Sequence, residues 1–195
     1  MSKNSNKDQP EPTMFTNREE WRAWLENNHD KSDGIWLAYY KKHTGKSSVQ
    51  YEEAVEEAIC FGWIDSQVKA IDDERYVQHY TPRKKSSVWS QSNKDRVHRM
   101  IVEGRMTEYG MAAVLEAQKG GNWEALADVD NLVVPEDLSA ALSANEKAEE
   151  FFNQVSSSDQ KAYLYWIASA KQDETRKKRI KMTVKQLAKN KKRTG

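Results

Sequence analysis

A glycine between a helix-patterned segment and an alternating one constrains this fold more than any other feature. Residues 48–61 carry Ala54, Val55, Ala58, Ile59 and Phe61 at spacings that place them on the inner face of one helix. Gly62 follows, at the position where helices commonly end in a left-handed residue. Trp63-Ile64-Asp65-Ser66-Gln67-Val68-Lys69-Ala70-Ile71 then alternates like a strand, Asp72-Asp73-Glu74 turns the chain, and Arg75-Tyr76-Val77-Gln78-His79-Tyr80 returns. The order predicts a helix that runs directly into a β-hairpin over residues 63–80. Pro82 edges the returning strand, because it has no N–H to give a ladder.

The neighbouring segments supply partners for that hairpin. Thr16-Asn17-Arg18-Glu19-Glu20 opens a helix with Thr16 as N-cap and Glu19 at the capping-box position, and Trp21, Trp24 and Leu25 form its inner stripe. The aromatic run over residues 35–42 reads as a further strand. Ser90 or Ser92 caps a helix through Val97, Met100, Ile101 and Val102, and Thr107 opens another that stops at Gly120-Gly121. Beyond Pro135 the periodicity predicts helices over about 136–143, 145–155 and 157–170, with more helix through 172–190. The expected fold class is α+β: a small antiparallel sheet of residues 35–42, 63–71 and 75–81 packed with helices over 14–121, followed by a C-terminal helical domain over 135–190. Residues 1–13 are expected as a disordered tail, 122–134 as a linker and 191–195 as a basic tail.

Charge narrows the function classes. Lysine and arginine nearly balance aspartate and glutamate to +1, which does not by itself point to nucleic acid or a membrane surface. The charge is zoned, however: Asn122–Gln160 is acidic with Lys147 as its sole base, and Lys171–Arg193 is strongly basic. Seven tryptophans and eight tyrosines argue for a packed core rather than global disorder. One cysteine cannot form an internal disulfide, residues 1–13 lack the apolar run of a secretory leader, and no stretch is apolar enough for a membrane helix. A cytoplasmic location is expected.

Two dense segments, Cys60–Ser66 and Tyr80–Ser90, carry more hydroxyls, cations and tryptophans than a core needs. Arg83, Lys84 and Lys85 with their neighbouring hydroxyls can meet a phosphate or carboxylate, and Trp63 or Trp89 can stack on a planar or sugar ring. The expected ligand-binding set is Trp63, Ser66, Thr81, Arg83, Lys84, Trp89 and Ser90, facing a small anionic ligand or a protein partner. The same loop reads equally as a solvated segment anchored by one tryptophan. Cys60 is a nucleophile only if a nearby cation lowers its pKa, and its place at a helix C-terminus works against a thiolate. Asp65 is a candidate general base or the partner of Arg83 or Arg75, and strand alternation sends Asp65 and Ser66 to opposite faces. His29, His43, His79 and His98 have no metal-site spacing, no phosphate-loop glycine pattern occurs, and no cofactor is expected. Residues 83–85 and 171–193 would serve a nucleic-acid binder.

At these segments the chain resembles the YdeI/OmpD-associated family, the bacteriocin-protection proteins. The resemblance rests on Ala58-Ile59-Cys60-Phe61-Gly62-Trp63-Ile64-Asp65-Ser66, on Tyr80-Thr81-Pro82-Arg83-Lys84 with Trp89-Ser90, on Asn93–Val97 and Glu103–Thr107, and on Pro135–Leu138, Phe151-Phe152, Trp166–Lys171 and Glu174–Ile180. It spans nearly everything from Phe15 to about Lys189. Ser86-Ser87-Val88 departs from it, standing where a loop richer in proline or glycine is expected. The resemblance implies a small cytoplasmic protein tied to bacteriocin tolerance or envelope stress, and it brings no catalytic residues with it. The leading expectation is a non-enzymatic protein that binds an anion or a partner near Trp63, Arg83 and Trp89. An enzyme using Cys60 or Asp65 and a nucleic-acid binder stand as alternatives.

Overall fold

The computed structural model describes residues 12–191, so positions 1–11 of the expected N-terminal tail and 192–195 of the basic tail lie outside the described residues. The hairpin forms as the alternation requires. β3 (Trp63–Ala70) pairs antiparallel with β4 (Arg75–Pro82), with Asp65 opposite Tyr80 and Ala70 opposite Tyr76. Asp72 holds the turn: its carboxylate accepts from the backbone N–H groups of Glu74 (2.9 Å) and Arg75 (2.7 Å) and from the Arg75 guanidinium. This is the local side chain-to-backbone bonding that makes aspartate a turn former.

β2 (Ile35–Tyr40) joins the other side of β4 antiparallel, with Trp36 opposite His79. A short strand, β1 (Thr13–Met14), adds parallel to β2 and gives the sheet order β1-β2-β4-β3. Thr13 therefore does not belong to a tail, because it pairs with Leu37 in the ladder. That pairing is non-local and leaves no periodic trace in the two residues that make it.

α1 (Arg18–Asn28) and α2 (Tyr51–Cys60) bury their inner faces in one core with Leu37, Tyr39, Trp63 and Tyr80. Trp21 is wholly buried and its indole N–H donates to the Ala54 carbonyl at 3.0 Å. Burying a ring of that size is worth about 4–6 kcal/mol of gross transfer free energy. The cap of α1 differs from expectation. Asn17 accepts from the Glu20 N–H, while Thr16 donates its backbone N–H and hydroxyl to the Glu20 carboxylate, each at 2.8 Å. Glu20, not Glu19, reaches back over the helix start, and it does so to Thr16 rather than to the N–H of the cap residue Asn17.

α3 (Gln91–Val102) starts at Ser90 and α4 (Glu108–Lys119) at Thr107, whose hydroxyl also donates to the Cys60 carbonyl. Two glycines set this corner. Gly62 has φ +74°, which a side chain would strain, and Gly110 lies against the carbonyls of Ile59 and Cys60 with no room for a Cβ.

The chain divides into two compact units, the first ending at Trp123 and the second beginning at Glu124. In the second, α5 (Ala127–Asp130), α6 (Glu136–Ser143), α7 (Glu146–Gln154), α8 (Ser157–Ala168) and α9 (Asp173–Leu187) surround Leu138, Leu142, Ala148, Phe152, Tyr163, Leu164, Ile167, Ile180 and Leu187. The segment expected as a linker over 122–134 is corrected here. Val129 is buried in this core, with Leu126 and Leu132 packed beside it. Asp128 and Asp130 between them give the segment a polar look and hide the spacing of the apolar residues.

Candidate functional site

Arg83 leaves the sheet at the end of β4, where its backbone N–H donates to the Gly62 carbonyl at 2.9 Å. The chain then loops back so that the guanidinium lies over the Trp89 ring, 3.6 Å from its centroid. The Trp89 indole is almost fully buried, tilts against Trp123 at 5.1 Å, and is fixed by its backbone N–H to the Asn122 carbonyl (3.2 Å). Asn122 also donates its amide to the Lys85 carbonyl at 2.8 Å. The loop 83–89 is thus tied down at both ends, and the guanidinium is held by a cation–π contact.

The hydrogen-bond accounting at Arg83 is incomplete. Nη1 donates to the Val88 carbonyl at 3.1 Å. Nε and Nη2 are buried with no partner among the described residues, and so is the indole Nε1 of Trp89. Nε and Nη2 form the edge of a guanidinium that grips two oxygens at once. Arg96 uses that edge on Glu52, and Arg176 uses it on Asp137. No ion pair to a carboxylate occupies it on Arg83 among the described residues. Burial pushes the Arg83 pKa down from 12.5 to about 10, against a partial opposing pull from the charge of Asp65.

A cavity of about 270 Å³ lies against this arginine, lined by Lys84, Lys85, Ser87 and Trp89 on the loop side and by Ala113, Glu116 and Ala117 of α4 on the other. Three cations face one carboxylate there. Glu116 pairs with Lys85 at 3.1 Å, but that pair is largely solvated and contributes little. The arrangement can bind and orient an anion.

Glu57 shows the contrast within the same unit. Its carboxylate is fully buried and accepts from Arg18 Nε (2.5 Å), Arg22 Nη1 (2.7 Å) and Arg105 Nε (2.6 Å). Burial alone would raise its pKa, yet the bonds from these three arginines outweigh that and hold it below 4.5. The cluster is a satisfied structural network. Its one trace in the sequence is Arg18 and Arg22, four residues apart beside the Trp21 and Leu25 stripe.

The structure brings Arg83, Lys84 and Trp89 of the expected set to one cavity, and adds Lys85 and Ser87. It places the others elsewhere. Trp63 is buried in the core, with its indole N–H on the His29 carbonyl (3.1 Å) and its ring edge-on to Trp24. Ser66 is exposed and donates to the His79 carbonyl, Thr81 pairs with Ile64 in the ladder, and Ser90 caps α3. Cys60 has no exposure, and burial with the nearby Glu57 charge pushes its thiol up to about 12. Asp65 pairs with neither expected arginine. It accepts from the Gln78 amide (2.6 Å) and the Tyr51 hydroxyl (3.0 Å), because a bulge after Asp65 shifts the register, and Arg75 is taken by Asp72. The α4 wall of the cavity was not legible, since Ala113, Glu116 and Ala117 read as an ordinary helix surface.

Among the described residues no cluster of three or more His, Cys, Asp or Glu could hold a metal ion, and no helix is long and apolar enough to cross a membrane. Residues 13–113 match a family described as Domain of unknown function (DUF8412). Residues 131–190 match the family described as Bacteriocin-protection, YdeI or OmpD-Associated. The resemblance to the bacteriocin-protection proteins is thus matched over the helical second unit, while the blocks before residue 113 fall in the other family. No curated protein and no solved structure matches. The first match spans more than half of the sequence, and the chain belongs to the DUF8412 family.

Proposed function

We propose that this DUF8412 protein, with its bacteriocin-protection second unit, is a non-enzymatic cytoplasmic binder of a small carboxylate or phosphate anion in the Arg83–Trp89 cavity, acting in bacteriocin or stress tolerance. One observation carries the reading: the Nε–Nη2 edge of Arg83 is buried and has no partner among the described residues. Leaving a buried donor unpaired costs about 1–3 kcal/mol, and more when it is charged. An anion removes that penalty by accepting from both nitrogens, with Lys84, Lys85 and Ser87 available to its remaining oxygens. Nothing lining the cavity offers an activated nucleophile, and the buried thiol of Cys60 lies outside it.

The test is thermal unfolding of the full chain at low salt with inorganic phosphate, sulfate, citrate or a hexose phosphate. A ligand that binds only the folded state raises Tm with concentration. The expected result is such a rise for at least one of these anions in the wild type and none in Arg83→Met. A flat Tm across the whole set contradicts the reading.

A further inference from the structure

The second unit holds an open apolar groove of about 510 Å³ between α6 and α9. Ala141 of α6 and Ala144, the residue that caps its C-terminus, line one side, and Ile180 and Val184 line it from α9. Lys177 and Lys181 stand alongside. On α9 the two lysines are four residues apart, as are Ile180 and Val184, so a cationic row runs beside an apolar one. The alanines project little from α6 and leave space for a helix backbone to approach. From Lys177 to Val184 the trough is about 10 Å long, roughly two helical turns.

Its charge is one-sided. Asp137, the single acid on the rim, is neutralised by a bidentate pair with Arg176 at 2.6 and 2.9 Å. Lys177 touches Glu174 at 3.3 Å, but both groups are mostly exposed and the pair holds little energy. Lys181 makes no ion pair among the described residues, and Lys178 and Lys185 add to the positive field of the same helix. An acyl chain in so open a trough would stay half-solvated and leave the lysine row without a partner. A helix with an apolar stripe and acidic flanks covers the floor and meets both lysines, while their methylene stems extend the apolar contact.

We infer that the α6–α9 groove docks an acidic amphipathic helix of a partner protein. This site is independent of the Arg83 cavity.

The probe is a labelled synthetic helix of about four turns, with leucines along one stripe and glutamates flanking them. Its charge-reversed counterpart carries lysines in place of the glutamates. Fluorescence anisotropy with the full chain is expected to show saturable binding of the glutamate peptide, weakening with salt, and the lysine peptide should bind at least about tenfold more weakly. Lys177→Glu with Lys181→Glu, and separately Ala144→Glu, should each lower affinity about tenfold or more while the melting temperature stays at the wild-type value. The inference is overturned by any of four results: no binding at low salt, equal binding of both peptides, undiminished binding by the folded double variant, or preference for anionic phosphatidylglycerol vesicles over the peptide. Concentration-dependent dimerisation abolished by Ala144→Glu would also overturn it, by assigning the groove to a second copy.

Discussion

The guanidinium of Arg83 lies over the indole of Trp89, 3.6 Å from the ring centroid, with its two-toothed edge buried and without a partner among the described residues. The arginines around Glu57 are also partly buried, yet each of them donates to a carboxylate. A charge kept desolvated without a counter-charge lowers stability, so its removal and the removal of a paired arginine should have opposite signs.

Arg83→Met should therefore leave stability unchanged or raise it by about 0–2 kcal/mol, since an apolar chain of similar length can lie on Trp89 without an unpaired charge. Arg22→Met should destabilise by about 1.5–3 kcal/mol, because it strips one charge-assisted bond from the buried Glu57 while Arg18 and Arg105 stay in place. Urea unfolding of the two variants checks this. A clear loss of stability in Arg83→Met would give Arg83 a structural role.

Trp89 anchors the loop from beneath. Trp89→Ala should cost about 3–5 kcal/mol through the cavity it leaves. Trp89→Phe should cost less and retain anion binding, because a ring face remains for the guanidinium. The pair is compared by urea unfolding and by titration with the same anion.

Glu57 gives the first unit an acid limit. Its carboxyl pKa is held below the ordinary 4.5, so the folded state binds fewer protons than the unfolded one near that pH. The stabilisation is fully present above 4.5 and fades as pH falls through the folded value. Wild-type stability should drop steeply below about pH 4.5. Glu57→Gln should be less stable at pH 7 and show a shallower acid limb, measured by denaturant unfolding across the range.

Cys60 should be inert. With its thiol buried and its pKa pushed up to about 12, a native protein at pH 8 should fail to react with a disulfide reagent and should react fully on unfolding. Stoichiometric labelling of the folded chain would instead revive the nucleophile.

Local patterns carried most of the fold. The Gly62 corner, the Asp72 turn and the helices from Glu136 onward were legible because periodicity and turn chemistry act within a few residues. What stayed hidden was non-local. Thr13 becomes a strand only because Leu37 is there to pair with, and Val129 looks like linker until the second core is assembled. The site divides the same way. Arg83, Lys84 and Trp89 were recognisable as a dense cationic and aromatic loop. Trp63 has the same composition around it but points into the core, and sequence alone does not separate a stacking platform from a buried ring. Glu57 is invisible for the converse reason, since a glutamate in a charged helix reads as solvated until three arginines from α1 and the α3–α4 turn converge on it.

Anion binding through the Arg83 fork is decided by calorimetric titration of wild type, Arg83→Lys and Arg83→Met with the anion that most raises Tm. The wild type should show one saturable site, Arg83→Lys an affinity at least about tenfold weaker because the fork is lost, and Arg83→Met no measurable heat at unchanged or higher stability. Equal binding by wild type and Arg83→Met would contradict it.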